Sequence, residues 1–214
     1  LARETAVRFN LMSYATPFGF DRMDWDSAYS TGEHDHYGFI NEWPRYGALQ
    51  GYIAARGGAA VILDVGCGVG NFRQAVPDAL VARFVGIDPS EVAIAQANAK
   101  GWVRSEFHVG ALPGLELGRF DIVVFNEMLY VVDDLDQLFR RTLELLAPDG
   151  WVLSSVSRHT GDFLIQQRLD AHFEQVDSVW ITSNSVRSKW QVACHANPAA
   201  KHPVAARIAN NRLR

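Results

Sequence analysis

The chain has 214 residues, of which 48% are hydrophobic and 21% charged, with a formal net charge of -4. That length suits one domain around one core, and the composition excludes wholesale disorder and low complexity. A net negative charge speaks against duplex nucleic acid, which needs a dense basic face, and two cysteines with no CxxC spacing exclude a disulfide framework or a thiolate zinc site.

Residues 1-52 read as an N-terminal arm or lid. Eleven of the chain's 24 aromatic residues lie there, from Phe9 to Tyr52, enough to roof a pocket or cover a sheet edge. Between Asp21 and Glu42 the arm is acidic: Asp21, Asp24, Asp26, Glu33, Asp35 and Glu42 face only Arg22, which suggests a negative entrance that favours an amine over a carboxylate or phosphate. His34 and His36 in Glu33-His34-Asp35-His36-Tyr37 are candidate general bases. On an extended segment they would share a face, but two ligands two residues apart make no metal site, and none is assigned.

Residues 53-197 form the core, where short β-rich runs alternate with helical stretches. Ala60 to Val65, Phe84 to Ile87, Val103 to His108, Phe120 to Phe125 and Trp151 to Val156 read as strands. Glu91 to Lys100 and Leu135 to Ala147 read as amphipathic helices, the second stopped by Pro148-Asp149-Gly150. Strands that are apolar nearly throughout belong in a parallel sheet covered on both faces, with ligands at the strands' carboxyl ends. Asp162 to Phe173 then reads as a helix, and Val176 to Ile181 with Lys189 to Cys194 as a closing hairpin. Residues 198-214 are a basic tail: no acid follows Ser178, against six bases.

The most specific stretch is Val-Ile-Leu-Asp-Val-Gly-Cys-Gly-Val-Gly-Asn-Phe from Val61 to Phe72. A strand ends at Asp64 and Val65, and Gly66, Gly68 and Gly70 turn the chain into a helix with backbone amides uncovered by any Cβ. A nicotinamide fingerprint would need glycine at position 71, which is Asn71. Eighteen residues past Gly70 the next strand ends in Asp88-Pro89-Ser90, a carboxylate placed to accept from both hydroxyls of a ribose.

With Gly118-Arg119-Phe120-Asp121 leading into Asn126-Glu127, and Leu145-Leu146-Ala147-Pro148-Asp149-Gly150 before the next strand, residues 59-197 resemble the class I S-adenosylmethionine-dependent methyltransferases of small molecules. The resemblance implies an α/β fold: a doubly wound, mostly parallel seven-stranded sheet, its last strand antiparallel, with helices on both faces. It implies S-adenosyl-L-methionine as cofactor and S-adenosyl-L-homocysteine as product, with Asp64 near the methionine part, Asp88 on the ribose, and Gly66, Cys67, Gly68, Gly70 and Pro89 around them. Many relatives carry an acid after the third strand for the adenine amino group. Here Gly110-Ala111-Leu112 has none, so backbone and apolar contacts would hold adenine.

At the end of the fourth strand stand Asn126, a contact for the cofactor's methionine end, and Glu127 and Tyr130, which could orient an acceptor hydroxyl or amine. His159, after the fifth strand, rivals the arm histidines as base. The Glu-x-x-Tyr pattern resembles nodulation-type N-methyltransferases. The implied function is methyl transfer to N or O of a sugar, amine or phenol-like metabolite, with a small-molecule acceptor as the partner and neither nucleic acid nor membrane. The alternatives are a noncatalytic cofactor-binding scaffold of the same fold or a macromolecule methyltransferase. The first residues lack a signal-peptide pattern and no apolar run nears the roughly 20 residues that span a bilayer, so the expected location is cytoplasmic.

Overall fold

The structure is a computed structural model that describes residues 24-32, 34-112, 117-158, 162-184 and 188-200. Each apolar run of the core becomes a strand: β1 (Ala60–Val65), β2 (Val81–Asp88), β3 (Ser105–Val109), β4 (Phe120–Asn126) and β5 (Leu146–Ser157). With β6 (Glu174–Ser183) and β7 (Ser188–Ala196) they form one seven-stranded sheet in the order β3-β2-β1-β4-β5-β7-β6. β1 to β5 are mutually parallel, and β7 runs antiparallel to both β5 and β6. The strand order reverses between β2-β1 and β4, which opens a crevice at their carboxyl ends.

Among the described residues six α-helices accompany the sheet: α1 (Trp25–Ser30), α2 (Trp43–Arg56), α3 (Asn71–Ala75), α4 (Glu91–Ala99), α5 (Leu135–Leu145) and α6 (Asp162–His172). Leu49 and Ile53 of α2, Phe72 of α3 and Ile94 and Ala97 of α4 are buried in one core, against Ile62, Ile122, Leu153 and Val192. Leu138 and Phe139 of α5 and Ile165 and Leu169 of α6 pack into the other core, against Leu63, Val123 and Val152. Helices thus cover both faces, as the near-continuous apolar strands require. α2 runs straight through residue 52, where arm and core were expected to meet.

One boundary moves. The helical pattern was read to Ala147, but α5 ends at Leu145 and Leu146 already pairs with Phe120 across β4. Gly150 explains the tight turn in the strand that follows: a Cβ there would lie 2.7 Å from the Leu146 side chain. The ladder bonds and the burial of Leu146 outweigh its helix propensity.

Candidate active site

β1 delivers Asp64 to the crevice and β2 delivers Asp88, with the glycine turn between them. Gly66, Gly68 and Gly70 all have positive φ, of 70°, 52° and 77°. A Cβ on Gly68 would lie 2.6 Å from the Tyr29 hydroxyl and one on Gly70 2.6 Å from the Trp102 ring, so both positions require glycine for space as well as conformation. The amides are used differently from the expectation. Gly66 and Cys67 donate to the Ile87 carbonyl at 2.8 and 3.0 Å, Gly70 to Cys67, and Gly68 to Asp88 Oδ2 at 2.9 Å. Four of the turn's amides are therefore bonded within the protein, and the turn supplies curvature and room rather than free donors. Cys67 is buried in the core, its Sγ 2.8 Å from a Cβ placed on Gly86, and burial pushes the thiol's pKa well up. It thus contributes backbone, not side chain, to the crevice.

The two carboxylates differ. Asp88 is tied at both oxygens, to Gly68 N and to Ser90 N at 3.0 Å, and burial still raises its pKa. Asp64 is 1% exposed and neither oxygen has a hydrogen-bond partner among the described residues. Burial, then the charge of Asp88, pushes its pKa well above the ordinary value, with Arg45 opposing. An orphaned buried carboxylate is costly unless a cation completes it.

A cation lies near. Arg45 of α2 is fully buried: it donates to Asn126 Oδ1 through Nη1 and to Glu42 Oε2 through Nη2 at 2.6 Å, while its Nε has no partner among the described residues. Burial works against its charge, but Glu127, Tyr46 and Glu42 hold it protonated. The sequence reading passed over Arg45. Its signal was the spacing Arg45, Leu49, Ile53, which puts an arginine on the buried stripe of α2.

Pro89, Gly110, Ala111 and Leu112 come together as expected, in an apolar pocket they share with Val65, Gly66, Ile87, Met128 and Leu138. Met128 also went unnoticed in the sequence; its Cβ lies 3.0 Å from where Gly66 would carry one. Beyond this pocket, Glu127 stands at the tip of β4 with φ at 57°, a left-handed backbone rare for a residue with a Cβ and typical of functional strain. Its amide donates to Ser155 O at 3.0 Å, Ser155 Oγ donates to Oε1 at 2.9 Å, and the Tyr130 hydroxyl donates to Oε2 at 3.3 Å. Burial raises the Glu127 pKa, with Arg45, Ser155 and Ser157 pulling the other way.

The arm closes this end. Tyr37 bonds Tyr130 by side chain and accepts at its carbonyl from the Tyr46 hydroxyl at 2.8 Å. His34 and His36 lie on a 3-10 turn rather than an extended segment, with ring centroids 6.3 Å apart. His34 packs among Trp25, Tyr29 and Tyr37. His159 lies outside the described residues. Asp21 and Glu33 lie outside the described residues; of the other four acids, Asp26 and Glu42 turn onto Ser90 and Arg45, which weakens the expected negative entrance.

Residues 18-202 match a family profile described as a methyltransferase domain. The chain belongs to that family. A ubiquinone biosynthesis O-methyltransferase of Leptothrix cholodnii is 34% identical over 112 residues, 49% of this chain and 47% of that protein. The chain spans about half the length of the curated relatives it matches. Among solved structures, a 1,6-didemethyltoxoflavin-N1-methyltransferase from Burkholderia thailandensis, with 1,6-didemethyltoxoflavin and S-adenosylhomocysteine bound, aligns with a TM-score of 0.69 and 23% identity, covering 81% of this chain and 85% of that one. The N-methyltransferase NodS of Bradyrhizobium japonicum aligns at 0.63 with 22% identity, covering 74% and 97%. These likenesses establish the fold, and S-adenosylmethionine is the family's cofactor. No helix among the described residues is long and apolar enough to cross a membrane.

Proposed function

We propose that this protein transfers the methyl group of S-adenosylmethionine to a hydroxyl oxygen of a small, ring-shaped acceptor, with Glu127 as general base. The residues fit the cofactor. Its amino-acid end carries an ammonium and a carboxylate; Asp64, orphaned and buried, would take the first, and Arg45 beside Asn126 the second. Asp88 has lone pairs left for ribose hydroxyls, and the apolar pocket from Pro89 to Leu112 has the character adenine needs. Bound there, the cofactor supplies an electrophilic methyl on a sulfonium.

Glu127 is the observation that carries the choice of oxygen. A free amine has a lone pair and needs no base, whereas a hydroxyl must lose a proton as it attacks. Glu127 is held by Ser155 and Tyr130 on a strained backbone, and its raised pKa makes it a better proton acceptor. A Glu127 oxygen would take the acceptor's hydroxyl proton as the acceptor oxygen attacks the methyl that the bound cofactor would supply, with S-adenosylhomocysteine as the leaving product. Tyr37 and Tyr130, with Tyr29 and His34 behind them, would wall the ring and exclude water. His34 and His36 remain arm residues beside the acceptor rather than its base. The names of the 34% identical O-methyltransferases support this reading.

The test is formation of S-adenosylhomocysteine with matched catechol and benzylamine probes. Preference for catechol, with Glu127→Gln lowering kcat by about 10²- to 10⁴-fold, is expected for a general base. Preference for the amine, or a Glu127→Gln protein of unchanged kcat, would refute it.

A further inference from the structure

Two parts of the site far apart in sequence meet at one carboxylate. Asp26, on α1, accepts at Oδ1 from Ser90 Oγ at 2.6 Å and from the Val92 amide at 3.1 Å. These bonds hold its pKa below the ordinary value, that from Ser90 most. Ser90 is the N-cap of α4, its Oγ accepting from Ala93 N at 3.0 Å, so α4 does not lack a cap of its own. The Ser90 amide in turn donates to Asp88. Asp26 and Asp88 thus grip Ser90 from two sides, close enough that the charge of Asp26 adds to burial in raising the Asp88 pKa.

The same short helix carries two rings, Trp25 and Tyr29, that back the aromatic wall. One turn past Asp26, Tyr29 places its hydroxyl over Gly68, and its ring packs on His34 at 4.9 Å between centroids. Trp25 and Tyr37 also stack on His34, at 5.9 and 5.6 Å between centroids. Asp24 caps its own helix by accepting from the Ser27 amide, and among the described residues no ion pair ties α1 to the core. We propose that Asp26 is a positioning residue, a latch that locks the acceptor's aromatic wall in register with the cofactor-facing segment Asp88-Pro89-Ser90, so that the acceptor cavity is assembled only when α1 is docked on α4. The wall's role rests on the function proposed above; the latch itself does not.

Hydrogen exchange of the whole protein, free and with S-adenosylhomocysteine, separates the two. In the free Asp26→Ala protein the amides of residues 28-31 exchange at least about tenfold faster than in the parent. Asp26→Asn, which keeps an acceptor oxygen, restores most of the protection. S-adenosylhomocysteine slows exchange in α1 of the parent and of Asp26→Asn but leaves α1 of Asp26→Ala fast, although it binds. With catechol as probe acceptor, Asp26→Ala raises KM more than it lowers kcat. If Asp26 only reinforces the start of α4, Asp26→Ala loosens residues 91-94 and leaves α1 as protected as before, and the latch is overturned. It is equally overturned if bound S-adenosylhomocysteine leaves α1 of the parent unchanged. Should S-adenosylhomocysteine fail to bind at all, the cofactor assignment falls, and the comparison in the free protein still decides the latch.

Discussion

Asp64→Asn should make the free protein more stable while weakening its hold on the cofactor. The wild-type carboxylate is 1% exposed, has no hydrogen-bond partner among the described residues, and faces the like charge of Asp88. An unsatisfied buried polar group costs about 1-3 kcal/mol, more when charged. Asparagine keeps the shape and an unpartnered amide but removes the charge, so a gain of about 1-2 kcal/mol is expected, or about 2-8 °C in Tm for a domain of this size. The sign follows from linkage. A carboxyl whose pKa is raised by folding contributes fully below its unfolded value, and that contribution is lost as pH rises through the folded value. The advantage of Asp64→Asn is therefore absent in acid and grows toward neutral pH. Ligand inverts the order: losing a charge-assisted bond to the cofactor's ammonium costs about 1.5-3 kcal/mol, or about 10- to 150-fold in affinity. At 100 times the wild-type Kd, S-adenosylhomocysteine adds about 2.7 kcal/mol to the wild type but only about 0.3-1.4 kcal/mol to Asp64→Asn. Calorimetric melts at pH 5 and 7.5, with and without S-adenosylhomocysteine, should show crossing stabilities. A ligand-free Asp64→Asn protein less stable than wild type at pH 7.5, or one with an unreduced ligand shift, would refute the argument.

Three further outcomes are expected. Turnover with catechol should rise with pH through the Glu127 titration, displaced upward from the ordinary glutamate value by burial, and Glu127→Gln should flatten that limb in a pH-rate profile. Arg45→Met strands Glu42 and should destabilise by about 3-5 kcal/mol, whereas Glu42→Gln with Arg45→Met should be far milder in denaturant titrations and still bind S-adenosylmethionine poorly in calorimetry. Gly68→Ala, strained at φ 52° and meeting the Tyr29 hydroxyl, should lower Tm and loosen α1, read as faster exchange of residues 28-31.

What the sequence determined by itself is local and periodic. Apolar runs such as Val61 to Val65 and Ile122 to Phe125 specify parallel, doubly covered strands because both faces of each must be buried. The glycine turn, Asp64 and Asp88 are legible because strand tips and tight turns leave residues of particular kinds at particular spacings, and Glu127 with Tyr130 because they lie three apart on one short turn. What the turn's amides do was misread, since their partners, Ile87 and Asp88, come from the next strand. The rest was decided by tertiary structure. Arg45 reaches Asn126 across 81 positions, Asp26 reaches Ser90 across 64, and Ser155 reaches Glu127 across 28. Each is a charged or polar pairing forced by burial, and which groups are buried together depends on the strand order that sets β4 beside β1 and β5, and on where the arm comes to rest. No local pattern encodes those neighbours, because a charge's partner is chosen by which groups lose water together and not by how far apart they stand in the chain.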